Sequence, residues 1–282
     1  MGKGPRIGEA PSVRLIEAVV EGSEAGRPRI AHERHVSVHD VGKTYGRKDD
    51  IVEAIRSVSF HVDRGGFLSI VGPSGCGKST LLMMIAGLSA VSAGTIKIEG
   101  SPVNGPRRDT SLVFQSPVLF PWRTVISNVM FPIEIFKRDR KRYREEAVSL
   151  LEMTGLHEFK HRLPEQLSGG MAQRVSLCRA LITNPSLLLM DEPFSALDAL
   201  TRDDMSLELQ RIWDRFRKTV IFVTHSIREA VFLSDRVMVL SPRPAVVVRD
   251  LAIDLPRPRS LDMQETAEFN RYCGIVRASL GR

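Results

Sequence analysis

Long hydrophobic runs are missing from this 282-residue chain. No stretch approaches the roughly 18 consecutive apolar residues that a membrane-crossing helix requires, so a span of its own is not expected. The amino terminus, MGKGPRIGEAPSVRLIEAVVEG, has neither the apolar centre nor the small-residue cleavage site of a secretory signal. A cytoplasmic location is therefore expected. Cysteine is scarce: Cys76, Cys178 and Cys273 are too few and too scattered for a disulfide framework or a zinc cluster, and free thiols in a reducing compartment follow. Internal repeats and long heptad arrays are absent too, which excludes solenoids and extended coiled coils. What is present is a hydrophobic share of 43%, enough for a sizeable core. The formal charge of +7 fits nucleic acid, anionic lipid or a polyanionic small ligand, and selects none of them.

Residues 1–34 are rich in glycine, proline and charge without sustained periodicity, and read as a mobile N-terminal extension. From Val36 onward the runs VSVHDV, VSFHV and FLSIVG read as strands, the last entering a glycine-rich turn and then a helix. Between Gln115 and Leu167 the pattern turns mostly helical, and strands return at SLLLMD and TVIFVTH. A helical part, about 116–183, thus looks inserted into an α/β domain over 35–250. Beyond Leu240, SPRPAVVVRDLAIDLPRPR predicts a short strand pair, and a helix is expected through Met263 to Leu280. Residues 251–282 form a C-terminal tail too short for a further domain of ordinary size. The basic run KRDRKRYRE, Lys137 to Glu145, reads first as the solvated start of a helix, with anionic lipid and nucleic acid as the other options.

GPSGCGKST, Gly72 to Thr80, fits the phosphate-loop pattern and stands between a strand and the helix of LLMMIAGL, where that motif has to stand. Gly72, Gly75 and Gly77 let backbone N–H groups close around phosphates, Lys78 reaches the β and γ oxygens, and the Ser79 hydroxyl is suited to Mg²⁺. Cys76 reads first as a small residue tolerated in the loop; it also sits at a helix N-terminus, which can lower a thiol pKa. A thiol alkylated quickly without nucleotide and slowly with it is therefore an expectation. SLLLMDEP, Ser186 to Pro193, is a buried-strand run ending in two carboxylates. Asp191 is placed to hold Mg²⁺ through water, and Glu192, pointing elsewhere, to polarise the attacking water. These features define a P-loop NTPase, a class that spans kinases, GTPases, helicases and transport motors.

LSGGMAQRVSLCRALITNP narrows the class. It reads as a helix with Ser168 as N-cap and Asn184-Pro185 at its end, with Met171, Val175, Cys178 and Ile182 on one face. The string resembles the signature of ATP-binding cassette (ABC) ATPases, and lies between phosphate loop and acidic strand as in that family. The resemblance covers about residues 36 to 240. It implies a P-loop NTPase (RecA-like) core of α/β class, with an inserted helical subdomain and an antiparallel β subdomain. It further implies a head-to-tail homodimer in which Leu167, Ser168, Gly169, Gly170, Met171 and Asp198 of one copy meet the ATP of the other. Within one copy the implied ATP-binding set is Tyr45, stacking on adenine, with Gly72, Pro73, Ser74, Gly75, Cys76, Gly77, Lys78, Ser79 and Thr80. The implied catalytic set is Glu192, His225, Gln115 and Lys78, and Ser79, Gln115 and Asp191 are the implied Mg²⁺ residues. Gln115, read as ending the strand SLVFQ, resembles the glutamine that moves with the helical subdomain, and SALD, Ser195 to Asp198, the loop crossing the dimer interface. Ala172 departs from the polar or basic residue of many relatives, leaving the serine and glycines intact.

PVLFPWRTVISNV, MDEPFSALDALTRD and SDRVMVLSPRP look especially like the nitrate/sulfonate/taurine branch of bacterial importers. The branch implies an ATPase peripheral to the cytoplasmic face of the inner membrane, with integral membrane permease subunits as partners. A coupling helix would enter the cleft near Gln115, and a separate solute-binding protein would act indirectly. Two alternatives stand beside it. An ABC ATPase of chromosomes, DNA repair or ribosomes is opposed by the short interval between Lys78 and Leu167, which lacks heptads, and by the single set of motifs. Nucleic acid is accordingly not expected as a partner. An ABC exporter ATPase is opposed only by the branch resemblance.

Overall fold

The computed structural model describes residues 33–46 and 51–281, so the extension drawn over 1–34 lies outside the described residues except for its last two. β1 (Arg34–Tyr45) and β2 (Val52–Asp63) pair antiparallel, with Val36, Val38, Val41, Val58, Phe60 and Val62 supplying the buried face. β3 (Phe67–Val71) is buried along its whole length and runs into the phosphate loop and α1 (Lys78–Ile85). β4 (Ala93–Ile98) pairs with β1, and the two-residue β5 (Ser101–Pro102) closes that edge. After β6 (Thr110–Val113) come three helices, α2 (Val125–Ile135), α3 (Arg140–Met153) and α4 (Gly169–Leu181). The basic run opens α3, with Asp139 as its N-cap accepting the Lys141 N–H at 2.9 Å. Then follow β7 (Leu187–Asp191), α5 (Ala199–Phe216), β8 (Thr219–Val223), α6 (Ile227–Leu233) and β9 (Arg236–Leu240). β10 (Ala245–Ala252) and α7 (Ala267–Ser279) complete the order.

All strands join one sheet in the order β5-β4-β1-β2-β10-β9-β3-β8-β7-β6. Strands β9, β3, β8, β7 and β6 are mutually parallel, and FLSIV, LLLMD and TVIFV carry near-continuous apolar runs because helices cover both faces there. The parallel strands all deliver their C-terminal ends to one edge, where ligands bind in open α/β sheets.

His35 in β1 joins the antiparallel part to the parallel core. Its ring Nδ1 meets the Thr219 hydroxyl, which also accepts the Gly65 N–H at 2.9 Å. Burial, with Arg64 adding in the same sense, holds this imidazole below its ordinary value of 6.5. The unfolded chain therefore takes up a proton first as pH falls, so the stability His35 contributes is full above pH 6.5 and is lost below it. The stability advantage of wild type over His35→Gln should shrink on moving from above to below pH 6.5; thermal melts in matched buffers measure it.

Three sequence expectations change. The region beyond Leu240 holds one strand instead of a pair: β10 finds its partners in β9, antiparallel, and β2, parallel, so the 250/251 boundary falls inside a strand. The expected terminal helix is shorter, Ala267–Ser279, preceded by a single 3₁₀ turn at Leu261–Glu265. It is bound to the main core through Phe269, Tyr272, Cys273 and Val276. Fully buried Arg259 secures this segment by donating to the carbonyls of Val231, Phe232 and Ser234 at 2.9, 2.9 and 2.8 Å, satisfying the end of α6. Finally, β6 stops at Val113, two residues short of Gln115.

Candidate functional site

Six of the seven described α-helices begin with a side chain that accepts one of their own first N–H groups: Thr124, Asp139, Ser168, Asp198, Ser226 and Thr266. The exception is α1, whose N-cap is Gly77 at φ 117°, a left-handed conformation that a β-carbon would oppose. Its first N–H groups are left without any capping side chain, at the positive end of the helix dipole. An anion is the chemical complement of such an end. A cavity of about 250 Å³ opens beside it, lined by Tyr45, Val52 and Ala54 on one side and by the phosphate loop, Glu192 and Arg243 on the other.

Lys78 is 4% exposed and donates to the carbonyls of Gly72 at 3.0 Å and Pro73 at 3.1 Å, with Glu192 Oε1 3.8 Å away. The ammonium is thus held at the loop it has to serve. The Ser79 hydroxyl donates to Asp191 Oδ1 at 2.9 Å, which joins α1 to the end of β7. Burial pushes the Asp191 carboxyl up, and the Glu192 charge beside it acts in the same sense against the Ser79 hydrogen bond. Glu192 has φ 44°, unusual for a residue with a β-carbon. That left-handed turn is how adjacent carboxylates come to face different ways. Its backbone is fixed by its own N–H on Val223 O at 2.9 Å and by the Ser195 hydroxyl on its carbonyl at 2.9 Å. Its side chain meets His225 Nδ1 at 2.8 Å.

Tyr45 is 45% exposed at the end of β1, its hydroxyl 3.5 Å from Thr80 Oγ1 and its ring under the Lys43 ammonium at 4.9 Å. Ser74, Gly75, Gly77, Lys78, Ser79 and Thr80 line the cavity with it. Cys76 does not: it is 1% exposed, beneath the loop, and burial raises its thiol pKa despite the nearby Lys78 charge. The expectation of a low-pKa, nucleotide-sensitive thiol is corrected on that ground, because desolvation outweighs the helix end. Gln115 is exposed beyond β6 and lies outside the cavity lining.

The second set of residues stands apart from the first. Ser168 caps α4, its hydroxyl accepting the Met171 N–H at 3.3 Å, while Gly169 is exposed and Gly170 buried. Leu167 and Met171 are half-buried against the main core. Asp198 caps α5, accepting the Thr201 N–H at 3.0 Å and hydroxyl at 2.6 Å, contacts that hold its carboxyl below the usual range. None of these six lines the phosphate-loop cavity of its own chain.

Two features escaped the sequence reading. Arg243, in SPRP after β9, donates to Gly75 O and lines the cavity; the only hint was an arginine in a proline-bounded turn after a strand. A polar chain also runs from Thr224 Oγ1, which donates to Glu229 Oε2 at 2.6 Å, through an ion pair of Glu229 with Arg202 Nε at 3.4 Å, to Leu197 O, which accepts from Arg202 at 2.8 Å. It ties the segment bearing His225 to the loop bearing Asp198, and Glu229 has its pKa raised by burial.

Known proteins resemble the chain along most of its length. The sequence profile of the family described as "ABC transporter" matches residues 55–195. The nitrate import ATP-binding protein NrtD of Synechocystis is 41% identical over 252 residues, 87% of this chain and 95% of that protein. The taurine import ATP-binding protein TauB of Rhizobium johnstonii is 47% identical over 223 residues, 79% and 84% of the two chains. Among solved structures, a dimeric ATP-binding cassette in a post-hydrolysis state with ADP and Pi superposes with a TM-score of 0.69 at 34% identity, covering 78% of this chain and 100% of that one.

Proposed function

The chain belongs to the ABC transporter ATP-binding family, and from that premise we propose that it is the ATPase subunit of an importer for a small solute of the nitrate, taurine or sulfonate kind. The uncapped N-terminus of α1, alone among the described α-helices and opened by Lys78, is the observation that carries the nucleotide part of this reading. Relatives named as nitrate, taurine and aliphatic sulfonate import ATP-binding proteins support the importer part over an exporter or a DNA-repair or translation ATPase.

In this reading the phosphate loop, from Gly72 to Thr80, wraps the ATP phosphates and Tyr45 packs against the base. Lys78 exchanges its carbonyl partners for β and γ oxygens. Glu192, anchored by Val223 and Ser195, accepts a proton from the attacking water, and His225 keeps its carboxylate oriented. The Ser79 hydroxyl and Asp191 carboxylate, 2.9 Å apart, are a hard-oxygen pair suited to Mg²⁺, with Gln115 as a further ligand from the loop after β6. When bound, the ion supplies neutralisation of the phosphate charge. In the head-to-tail pair that the family resemblance implies, Leu167, Ser168, Gly169, Gly170, Met171 and Asp198 contact the nucleotide of a second copy; none of them lines the cavity of its own chain.

No described helix is long and apolar enough to cross a membrane. The import names of the relatives support a subunit that acts peripherally, at the cytoplasmic face beneath permease subunits that receive solute from a binding protein. Exposed Val118 and Trp122, at 58% and 74%, follow Gln115 in the segment proposed for the coupling contact. A tagged Glu192→Gln protein recovered from detergent-solubilised membranes with MgATP should bring a polytopic membrane protein with it, identified by mass spectrometry. Recovery of nucleic acid or ribosomal proteins without such a partner would overturn the importer reading.

A further inference from the structure

Arg243 lies 168 positions from Gly75, yet its guanidinium donates to the Gly75 carbonyl twice, from Nε at 3.2 Å and from Nη2 at 2.7 Å. The same peptide unit is held at its other end, where the Cys76 N–H donates to Pro73 O at 3.3 Å. A peptide group is planar, so fixing its oxygen and its N–H fixes its orientation. This peptide follows Gly75, at φ 73°, the loop's most freely rotating kind of residue in a left-handed conformation. Without Arg243 only the Cys76 N–H contact restrains this peptide, and a carbonyl turned toward a phosphate would repel it.

The arm that carries Arg243 is itself fixed. The turn between β9 and β10 is closed by Ser241, whose N–H donates to Val246 O and whose hydroxyl accepts the Val246 N–H, both at 3.0 Å. The C-terminal end of β9 also abuts the start of the loop: a β-carbon on Gly72 would come within 3.1 Å of Leu240 O. A short tether from a buried strand therefore presents the guanidinium to the loop with little entropy left to lose.

Arg243 is, with Lys78, one of two cations among the described residues lining the cavity. Its fork has five N–H donors, and only two are engaged by Gly75. We propose that Arg243 is a positioning residue for nucleotide binding, which sets the phosphate loop in its anion-accepting form and adds a second positive charge to the site. The inference rests on the nucleotide reading of this cavity. Because it acts on loop shape and charge that matter equally before and during the reaction, its effect belongs in affinity far more than in turnover.

ATP titrations and steady-state ATPase assays on Arg243→Ala, Arg243→Lys and Lys78→Ala test the proposal. Arg243→Ala should raise both the Kd and KM for ATP by about five- to tenfold, the scale of a charge-assisted hydrogen bond discounted for solvent exposure. The change in kcat should be far smaller, and the melting temperature should stay at the wild-type value. Arg243→Lys, which keeps the charge and loses the fork, should fall between the two. Unchanged Kd and KM in Arg243→Ala overturn the inference, as does a joint fall in kcat and melting temperature, which would mark a folding role. Lys78→Ala separates this from the wider reading: if it too binds ATP as wild type does, the cavity is not the nucleotide site.

Discussion

Glu192→Gln is expected to lower ATP turnover by about 10²- to 10⁴-fold, the usual contribution of a positioned general base, while ATP stays bound. The amide keeps the volume of the carboxylate and leaves the backbone anchors to Val223 and Ser195 in place. What it removes is the base, together with the negative charge 3.8 Å from the Lys78 ammonium. Relieved of that internal counter-charge, Lys78 should receive the γ-phosphate at least as well as before, so affinity for ATP should hold or tighten. Single-turnover hydrolysis and equilibrium binding, measured on one preparation, give the two numbers separately. Wild-type turnover in Glu192→Gln would remove this residue from the chemistry, and an equal loss of binding and turnover would make it a structural one.

The second large effect concerns the two adjacent glycines at the start of α4, which resemble each other in sequence and differ in surroundings. Gly169 is exposed, and a β-carbon there would meet only Leu197 Cδ2, at 3.7 Å. Asp at this first helical position favours the helix dipole by about 0.3–1 kcal/mol. Gly169→Asp should therefore leave the melting temperature unchanged or slightly raised. In the proposed dimer it nevertheless places a carboxylate against the partner's γ-phosphate, so ATP-dependent dimerisation should disappear and turnover fall by at least about 100-fold. Gly170 faces α5, where a β-carbon would lie 2.5 Å from Thr201 Cγ2. Thr201 cannot turn away freely, because its hydroxyl is bonded to Asp198 at 2.6 Å. Gly170→Ala should cost about 1–3 kcal/mol through overpacking. Thermal melts and light scattering with ATP compare the pair: a destabilised Gly169→Asp or a fully stable Gly170→Ala would contradict the packing described.

The polar chain from Thr224 through Glu229 and Arg202 to Leu197 gives this contrast a mechanical setting, since it links the segment of His225 to the loop that caps α5. Both ends of that link belong to interfaces in the proposed dimer: His225 faces the nucleotide of its own chain and Asp198 that of the partner.

From residue order alone came everything that depends on near neighbours. The phosphate loop was legible because strand, glycine turn and helix are consecutive, and the buried β3 and the start of α1 follow directly from FLSIVGPSGCGKST. Ser168 was legible as a cap because capping spans three residues, and Asp191 and Glu192 because a run of leucines ends at them. Tertiary structure decided what depends on strand order. It turned the Cys76 thiol inward, where burial outweighs the helix end, and stopped β6 at Val113, leaving Gln115 beyond the strand. Placing β10 between β9 and β2 made one strand of an expected pair, and set the turn of Arg243 above Gly75. Periodicity reports which face of a segment is buried; it carries no information on which distant segment covers that face, and a hydrogen bond such as Arg243 to Gly75 exists only once the sheet has chosen its neighbours.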